Sequence, residues 1–522
     1  MSATAWSHRV FAPLPTPAEM TNLDLKAQEV GIPGIVLMEN AAQAAVKVLQ
    51  KHWPDLACLT IYLLAGGGSN GGDAICMARY LADLGANVKL FLTKQPETYQ
   101  GASSTELEIY QNLKLPCLSS QELLQQPKPD MLIDGLLGTG FQGTLRHDLN
   151  ELVQAINAWQ IPNVVAIDIP SGLDGLYGQP KPCAIKACLT ITMHAKKIGL
   201  AQPTAQSYTG QVEVVPIGIP NHVQDTYPPR AWLITPEIVK LGKNLPANSY
   251  KNRFGHVLVI GSGQLELSGA GHLAAYAALR AGAGLVTCLA PKEVASHVRG
   301  NRPEIMLWPI GDATWPEVLP ADFSERLAQY TSLVVGPGFG VSAQAAQFLA
   351  NILRTPNRPP MVLDADGLKL LAKQPELAKF LHNTDIITPH PGEAAALLET
   401  TSQNVQANRL DALTSLAKKF PAVCILKGAM TAITLHDNAI FLSPWDIPQL
   451  AVGGAGDVLA GLLAALIGQK DLWPKTSPRT LYISALGVAI HALAGLKLAQ
   501  ALPVRGCLAS EIANQIPTVL GS

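Results

Sequence analysis

Short, wholly apolar runs recur along this chain, and each leaves through a glycine- or aspartate-rich turn into a stretch rich in alanine and leucine. Apolar runs without alternation describe strands buried on both faces, and the helical stretches between them describe the crossovers that join parallel strands. In the first half the runs are LTIYLLAGG, NVKLFLT, DMLIDGLLG, NVVAIDIPSG and CLTITMH, separated by helical segments such as Gly72–Leu84 and Leu149–Ala158. In the second half they are HVLVIGSG, GLVTCLAP, SLVVGPGFG, MVLDADG, DIITPHPGE, AVCILKG and TAITLH, with helices over Ala270–Ala281 and Val458–Ile467. The predicted class is α/β, built on parallel sheets. At 522 residues the chain has room for roughly two to four domains. The strand–helix rhythm lapses at Asn221–Trp232, NHVQDTYPPRAW, where Pro228 and Pro229 stiffen a polar segment, and a second polar stretch covers Lys240–Arg253. Two domains are therefore expected, 1–226 and 227–522. Their loop motifs differ, which describes a fusion rather than a duplication.

Only 15% of the residues are charged, against roughly 25% in an average soluble chain, and 38 basic residues balance 39 acidic ones. A net charge of −1 excludes a nucleic-acid or acidic-membrane partner held by bulk electrostatics, and 48% hydrophobic residues exclude disorder. Eight cysteines are scattered with no C-x-x-C pair, the pattern of free thiols in a reducing compartment rather than of a zinc site. The amino terminus lacks the apolar core of a secretory signal. Leu481–Leu502 is long enough to cross a bilayer, yet it carries His491 and Lys497 and is rich in Ala and Gly, as a buried packing helix would be. A cytoplasmic protein is expected.

In the first half, LTIYLLA runs into Gly66-Gly67-Gly68-Ser69-Asn70-Gly71-Gly72-Asp73 and then a helix. Gly66, Gly68 and Gly71 fit G-x-G-x-x-G, a turn that brings backbone N–H groups and a positive helix end close to a phosphate. The next strand ends in Thr93 and Lys94, not in the acid that a dehydrogenase uses for a ribose, so alone the motif also reads as a structural turn. Two further strand ends, Asp134-Gly135-Leu136-Leu137-Gly138-Thr139-Gly140 and Asp168-Ile169-Pro170-Ser171-Gly172, place carboxylates and glycines at the same edge of a parallel sheet. Three such loops converge on one crevice.

In the second half, Gly453-Gly454-Ala455-Gly456-Asp457 opens a long Ala/Leu helix. The turn and helix end offer an anion hole for a transferring phosphoryl group, and Asp457 can take a proton from a substrate hydroxyl. No Walker lysine motif is present. Lys427-Gly428-Ala429-Met430-Thr431 offers contacts to nucleotide phosphates, His390 and Glu393 follow another strand, Gly336–Gly340 permits close ligand approach, and Asp364 and Asp366 can bind Mg²⁺ directly or through water.

SNGGD, DGLLGTGFQGT and DIPSGLDG, with MENAAQA near Met38, resemble the motifs of NAD(P)H-hydrate epimerase domains over residues 15–220. The resemblance implies a Rossmann-like sheet domain that interconverts the (R) and (S) hydrates of NADH and NADPH. It implies substrate contacts at Ser69, Asn70, Gly71, Gly72 and Asp73, and at Gly138, Thr139, Gly140, Phe141, Gln142, Gly143 and Thr144. Asp168 is implied beside the substrate as a catalytic group, with potassium on Asn70, Asp134 and Ser171. Ser69 stands where Asn is common, and Ala74 where Gly is common.

RFGHVLVIGSG, RAGAGLV, VVGPGFG, VLDADGL, TPHPGE, LKGAMT and GGAGDVLAG resemble the ribokinase-like, ADP/ATP-dependent NAD(P)H-hydrate dehydratases over residues 235–515. That resemblance implies removal of water from the (S) hydrate with ADP or ATP as co-substrate and Mg²⁺. Asp457 is implied as base, substrate contacts fall on Ala270, Gly338, Gly340, His390 and Asp457, and nucleotide contacts fall on Lys427, Gly428, Ala429, Met430, Thr431 and Gly456. LSGAGH replaces a Tyr-Thr-Gly-Ala-type segment at Ala270. The partners implied are small molecules, with no nucleic acid and no membrane, and a homo-oligomer is expected. The alternative is a vitamin-precursor kinase fused to a non-catalytic interaction module.

Overall fold

The computed structural model of the chain describes residues 10–241, 249–469, 472–473, 477–503 and 505–521. These form two compact units, one over Pro13–Ala231 and the other joining the amino-terminal segment through Ala12 to Trp232 and everything after it. Along the chain the strands are β1 (Phe11–Pro13), β2 (Thr60–Ala65), β3 (Asn87–Leu92), β4 (Cys117–Ser119), β5 (Met131–Gly135), β6 (Asn163–Ile167), β7 (Leu189–Met193), β8 (Gln211–Val215) and β9 (Ala231–Ile234). They continue as β10 (His256–Ile260), β11 (Leu285–Pro291), β12 (Ile305–Ile310), β13 (Ser332–Val335), β14 (Met361–Leu363), β15 (Ile386–Ile387), β16 (Val423–Leu426), β17 (Ala432–Thr434) and β18 (Ile440–Leu442).

In the Pro13–Ala231 unit the sheet order is β4-β3-β2-β5-β6-β7-β8, with every neighbouring pair parallel. The chain winds outward from β2 to β4, then returns to β5 and winds the other way. The loops leaving β2 and β5 therefore part, and a crevice opens at their carboxyl ends. Ala65 lies level with Gly135 in the register, which sets the two glycine-rich loops side by side. Both sheet faces are covered: Ile61, Leu63 and Ala65 pack under helices Gly34–His52 and Ser69–Asp83, while Tyr62, Leu64 and Phe91 pack on the other face with Val153 and Ile156.

The second unit carries the parallel run β12-β11-β10-β13-β14-β15-β16, continued by antiparallel β17 and β18 and then by β9 and β1. Its winding reverses between β10 and β13. Helices Ser268–Arg280 and Ala455–Gly468 cover one face, their alanines allowing close approach. Helix Arg479–Ala501 has 78% of its most apolar stretch buried, the packing role expected of it.

Three expectations are corrected. The helix expected from Gly72 begins earlier, at Ser69, so Asn70, Gly71, Gly72 and Asp73 form its opening turns. The first domain does not include the chain's start, because β1 adds to the second unit's sheet and Phe11 stacks on Phe441 with ring centroids 4.4 Å apart. The supposed linker is regular at both ends, with a helix over Asn221–Thr226 and β9 from Ala231. Of the polar stretch Lys240–Arg253, residues 242–248 lie outside the described residues.

Candidate active sites

The amino-terminal crevice is a cavity of about 980 Å³ lined by Ser69, Asn70, Asp73, Gly138–Gln142, Thr144 and Asp168, together with Asp24, Lys94, Arg146 and Lys197. Gly143, Gly71 and Gly72 do not line it. Gly71 serves the fold: a Cβ there would meet the Gly66 carbonyl oxygen at 1.8 Å, so only glycine lets the helix start against its own loop.

Below the cavity floor, Asp134 is fully buried at the end of β5. Its Oδ1 accepts from the Leu136 N–H at 3.1 Å and the Ser171 hydroxyl at 2.6 Å, and its Oδ2 accepts from the Ser171 N–H at 2.8 Å. Burial lifts its pKa to about 6, against the pull of those hydrogen bonds. Asn70 donates to the carbonyls of Leu137 at 2.7 Å and Ile167 at 3.1 Å, while its buried Oδ1 has no hydrogen-bond partner. The three strand ends are thus tied into one oxygen-rich knot, as the three-loop reading expected.

Asp168 stands just past β6 with φ at +65°, a left-handed conformation unusual for a residue other than glycine. Its Oδ1 accepts from Thr192 Oγ1 at 3.1 Å, from the Met193 N–H at 3.3 Å, and from Lys197 Nζ. Lys197 is completely buried and also donates to Thr192 Oγ1 at 3.1 Å and to the Met193 carbonyl at 2.8 Å. Burial holds the Asp73 carboxyl well above the usual range, helped by the charges of Asp168 and Asp24.

In the second unit the glycine turn ends at Gly454, with φ at +90°, and the helix Ala455–Gly468 carries Asp457 in its first turn. Asp457 is half-buried, and burial followed by the charge of Asp364 raises its pKa to about 7. Lys427 donates to Asp364 Oδ1 at 2.7 Å and stands 3.9 Å from Glu393 Oε2. Burial works against its charge, but Asp364 and Glu393 hold its pKa above the ordinary value. Gly456 leaves room for this ammonium, since a Cβ there would lie 3.3 Å from Nζ.

The other residues expected at substrate and nucleotide have these surroundings. Lys427, expected at the nucleotide, bonds Asp364 and stands near Glu393. The Thr431 hydroxyl donates to the Gly428 carbonyl at 3.0 Å, the Met430 side chain is buried, and Gly428 and Ala429 are exposed. His390 caps helix Pro391–Leu398, its Nδ1 accepting from the Gly392 N–H at 3.0 Å and the Glu393 N–H at 3.3 Å. Ala270 packs on the glycine loop: a Cβ at Gly338 would come 3.2 Å from it. Gly340 donates to Asp366 Oδ2 at 2.9 Å and Lys369 to Asp366 Oδ1 at 2.8 Å, while Asp364 Oδ2 faces the Gly456 turn.

The family described as NAD(P)H-hydrate dehydratase matches residues 257–518, and the one described as YjeF-related protein N-terminus matches residues 34–199. The bifunctional NAD(P)H-hydrate repair enzyme Nnr of Moorella thermoacetica is 36% identical, the match covering 97% of this chain and 96% of the relative. The chain belongs to the bifunctional NAD(P)H-hydrate repair enzyme family. The repair enzyme of Coxiella burnetii is 34% identical, over 95% of this chain and 96% of its own length. Among solved structures, a ribokinase-like superfamily protein from Enterococcus faecalis is 25% identical at a TM-score of 0.48, covering 55% of this chain and 95% of that one.

Four residues of this repair enzyme's sites carried no signal that sequence reasoning used. Lys197 and Asp24 lie far along the chain from the loops whose cavity they share. Arg409, buried in helix Arg409–Lys419, donates to the carbonyls of Leu426 at 3.1 Å, Lys427 at 3.2 Å and Met430 at 3.4 Å, and so shapes the loop after β16. His491 bonds the backbone of Ala455 at the glycine turn, and burial pushes its pKa down to about 4.

Proposed function

We propose that the amino-terminal cavity interconverts the (R) and (S) hydrates of NADH and NADPH, and that the carboxy-terminal site returns the (S) hydrate to the reduced cofactor with ADP or ATP. The kinase-plus-scaffold alternative is not favoured, because the repair-enzyme relatives match both halves in one alignment.

For the epimerase, the buried knot supports a potassium site. Asn70 Oδ1 is a buried acceptor without a partner, the Asn70 amide and the Ser171 hydroxyl meet at the Leu137 carbonyl, and Ser171 is bonded to Asp134, an all-oxygen set of low charge that suits a hard monovalent cation. When bound, potassium supplies positive charge under the substrate and fixes the three loops. Around it, Ser69, Asp73 and the Gly138–Thr144 loop hold the hydrate's sugar and phosphates, while Asp168, its charge balanced by Lys197, faces the reacting ring. The Ser69 hydroxyl keeps a hydrogen-bonding group where Asn is common, on a shorter stem.

For the dehydratase, Asp457 accepts the proton of the ring hydroxyl as the hydroxyl oxygen bonds to the terminal phosphorus, and the bond from that phosphorus to the rest of the nucleotide breaks. The opening turn of helix Ala455–Gly468 and the Lys427 ammonium stabilise the phosphoryl oxygens in transit. The ring nitrogen's lone pair then expels phosphate, and loss of the neighbouring carbon's proton restores the double bond. Asp364 Oδ2, which faces the Gly456 turn, suits a water-mediated contact to Mg²⁺ on the nucleotide. The observation that carries the reading is Asp457, poised near neutrality in a glycine-opened helix end beside Lys427. All eight cysteines are free, which supports a cytoplasmic setting. The test uses purified (S) hydrate: without nucleotide it should equilibrate with the (R) form, and with ADP or ATP it should become NADH. No equilibration, or no nucleotide requirement, overturns the assignment of that half.

A further inference from the structure

The amino-terminal cavity holds one charged group that the reading above leaves without a task. Helix Pro17–Glu29 is started by Thr16, whose Oγ1 accepts from the Glu19 N–H at 3.2 Å while Glu19 accepts from the Thr16 N–H at 2.7 Å. The helix buries Met20, Leu23 and Ala27, and Asp24, next to Leu23, faces the cavity shared with Asp73, Asp168 and Lys197. Asp168 and Lys197 satisfy one another. Asp24 does not enter that pair, and its Oδ1 is buried with no hydrogen-bond partner. A carboxyl so placed adds nothing to the fold that an apolar side chain would not add better.

Inversion at the hydrated carbon needs two proton transfers. The ring nitrogen's lone pair forms the C=N bond as the C–O bond breaks, and the departing hydroxyl takes a proton to leave as water. Water then bonds to the same carbon from the other face, the C=N electron pair returns to nitrogen, and the entering water gives up a proton. Water and electrons are conserved, and no oxidant or reductant is needed. A flat ring held on the strand ends offers its two faces to different walls of the cavity, so a single strand-end carboxyl does not serve both. Asp168 comes from the sheet and Asp24 from a helix. We propose that Asp24 is the second proton-transferring group of the epimerase, working with Asp168 on the two faces of the ring. Its chemistry fits: burial raises its pKa to about 6, Lys197 pulling it down and Asp168 pushing it up, so both protonation forms are accessible near neutrality. Asp73 is pushed much further towards its neutral form and suits hydrogen-bond donation instead.

The proposal rests on the epimerase reading of this cavity. The experiment follows conversion of purified (S) hydrate into (R) hydrate without nucleotide, for the full-length wild type and for Asp24→Asn and Asp24→Glu. Asp24→Asn keeps shape but cannot exchange a proton, so kcat should fall about 10²–10⁴-fold with KM little changed. Asp24→Glu should recover part of kcat, and both variants should dehydrate (S) hydrate at the wild-type rate, since that site lies in the other unit. A wild-type kcat in Asp24→Asn, a loss carried by KM alone, or an Asp24→Glu no better than Asp24→Asn overturns the proposal. A wild type that does not epimerise overturns the reading of the cavity itself.

Discussion

Replacing Lys197 by methionine removes a fully buried charge. Its ammonium has no exposure and three oxygen partners, Asp168 Oδ1, Thr192 Oγ1 and the Met193 carbonyl, so nothing in the surroundings takes over its role. Methionine keeps the length and the apolar stem but leaves the Asp168 carboxylate, itself only 6% exposed, without its counter-charge. Removing one partner of a buried pair destabilises by about 3–5 kcal/mol, against near neutrality when both partners are replaced. With a urea m-value on the order of 2 kcal/mol/M, the midpoint of the transition that carries epimerase activity should fall by about 1.5–2.5 M. Asp168→Asn/Lys197→Met should recover most of that loss while remaining inactive as an epimerase, because the reacting carboxylate is gone. Dehydration of (S) hydrate is the internal control and should persist below the transition. A midpoint shift under about 0.5 M for Lys197→Met, or a double variant no more stable than the single one, would refute the claim that the pair is a mutually neutralised unit.

Asp457→Asn should lower dehydration about 10²–10⁴-fold while leaving epimerisation intact, measured by the accumulation of both hydrates. Because Asp457 must be unprotonated to accept the hydroxyl proton and its pKa is raised to about 7, the dehydratase rate should rise with pH through that region and then level off. A rate that falls over the same range contradicts its role as base. Asn70→Ala should slow epimerisation, so that mixed hydrates with nucleotide clear in two phases, a fast (S) phase and a lagging (R) phase; one phase at the wild-type rate would exclude the potassium site. Gly71→Ala places a Cβ 1.8 Å from the Gly66 carbonyl oxygen and should abolish folding of the Pro13–Ala231 unit, seen as loss of its cooperative unfolding transition.

What was legible in the sequence follows a physical pattern. Groups carried at the carboxyl ends of apolar runs are readable, because a parallel sheet sends all such ends to one edge: in the Pro13–Ala231 unit Asn70, Asp134 and Ser171 come together there, with Asp168 just past β6. The helix start expected at Gly72 falls three residues late because glycine is a poor helix former, yet helix Ser69–Asp83 starts within the glycine-rich segment, where only glycine fits against the Gly66 carbonyl. The sequence shows what the His390 and Lys427 side chains can do but not their partners within the fold, a neighbouring helix end for His390 and two carboxylates for Lys427. Lys197, Asp24, Arg409 and His491 were silent because their meaning depends on contacts between residues distant in sequence, which neither periodicity nor spacing encodes.

The most direct test of a two-site repair enzyme is one progress curve. Mixed (R) and (S) hydrates of NADH, incubated with the full-length protein and ADP or ATP, should return the whole of the reduced-nicotinamide absorbance in a single phase, and none of it when nucleotide is withheld. Recovery that stops at the (S) fraction and proceeds no faster than spontaneous epimerisation would contradict an active amino-terminal site, and no recovery from either epimer would contradict the account as a whole.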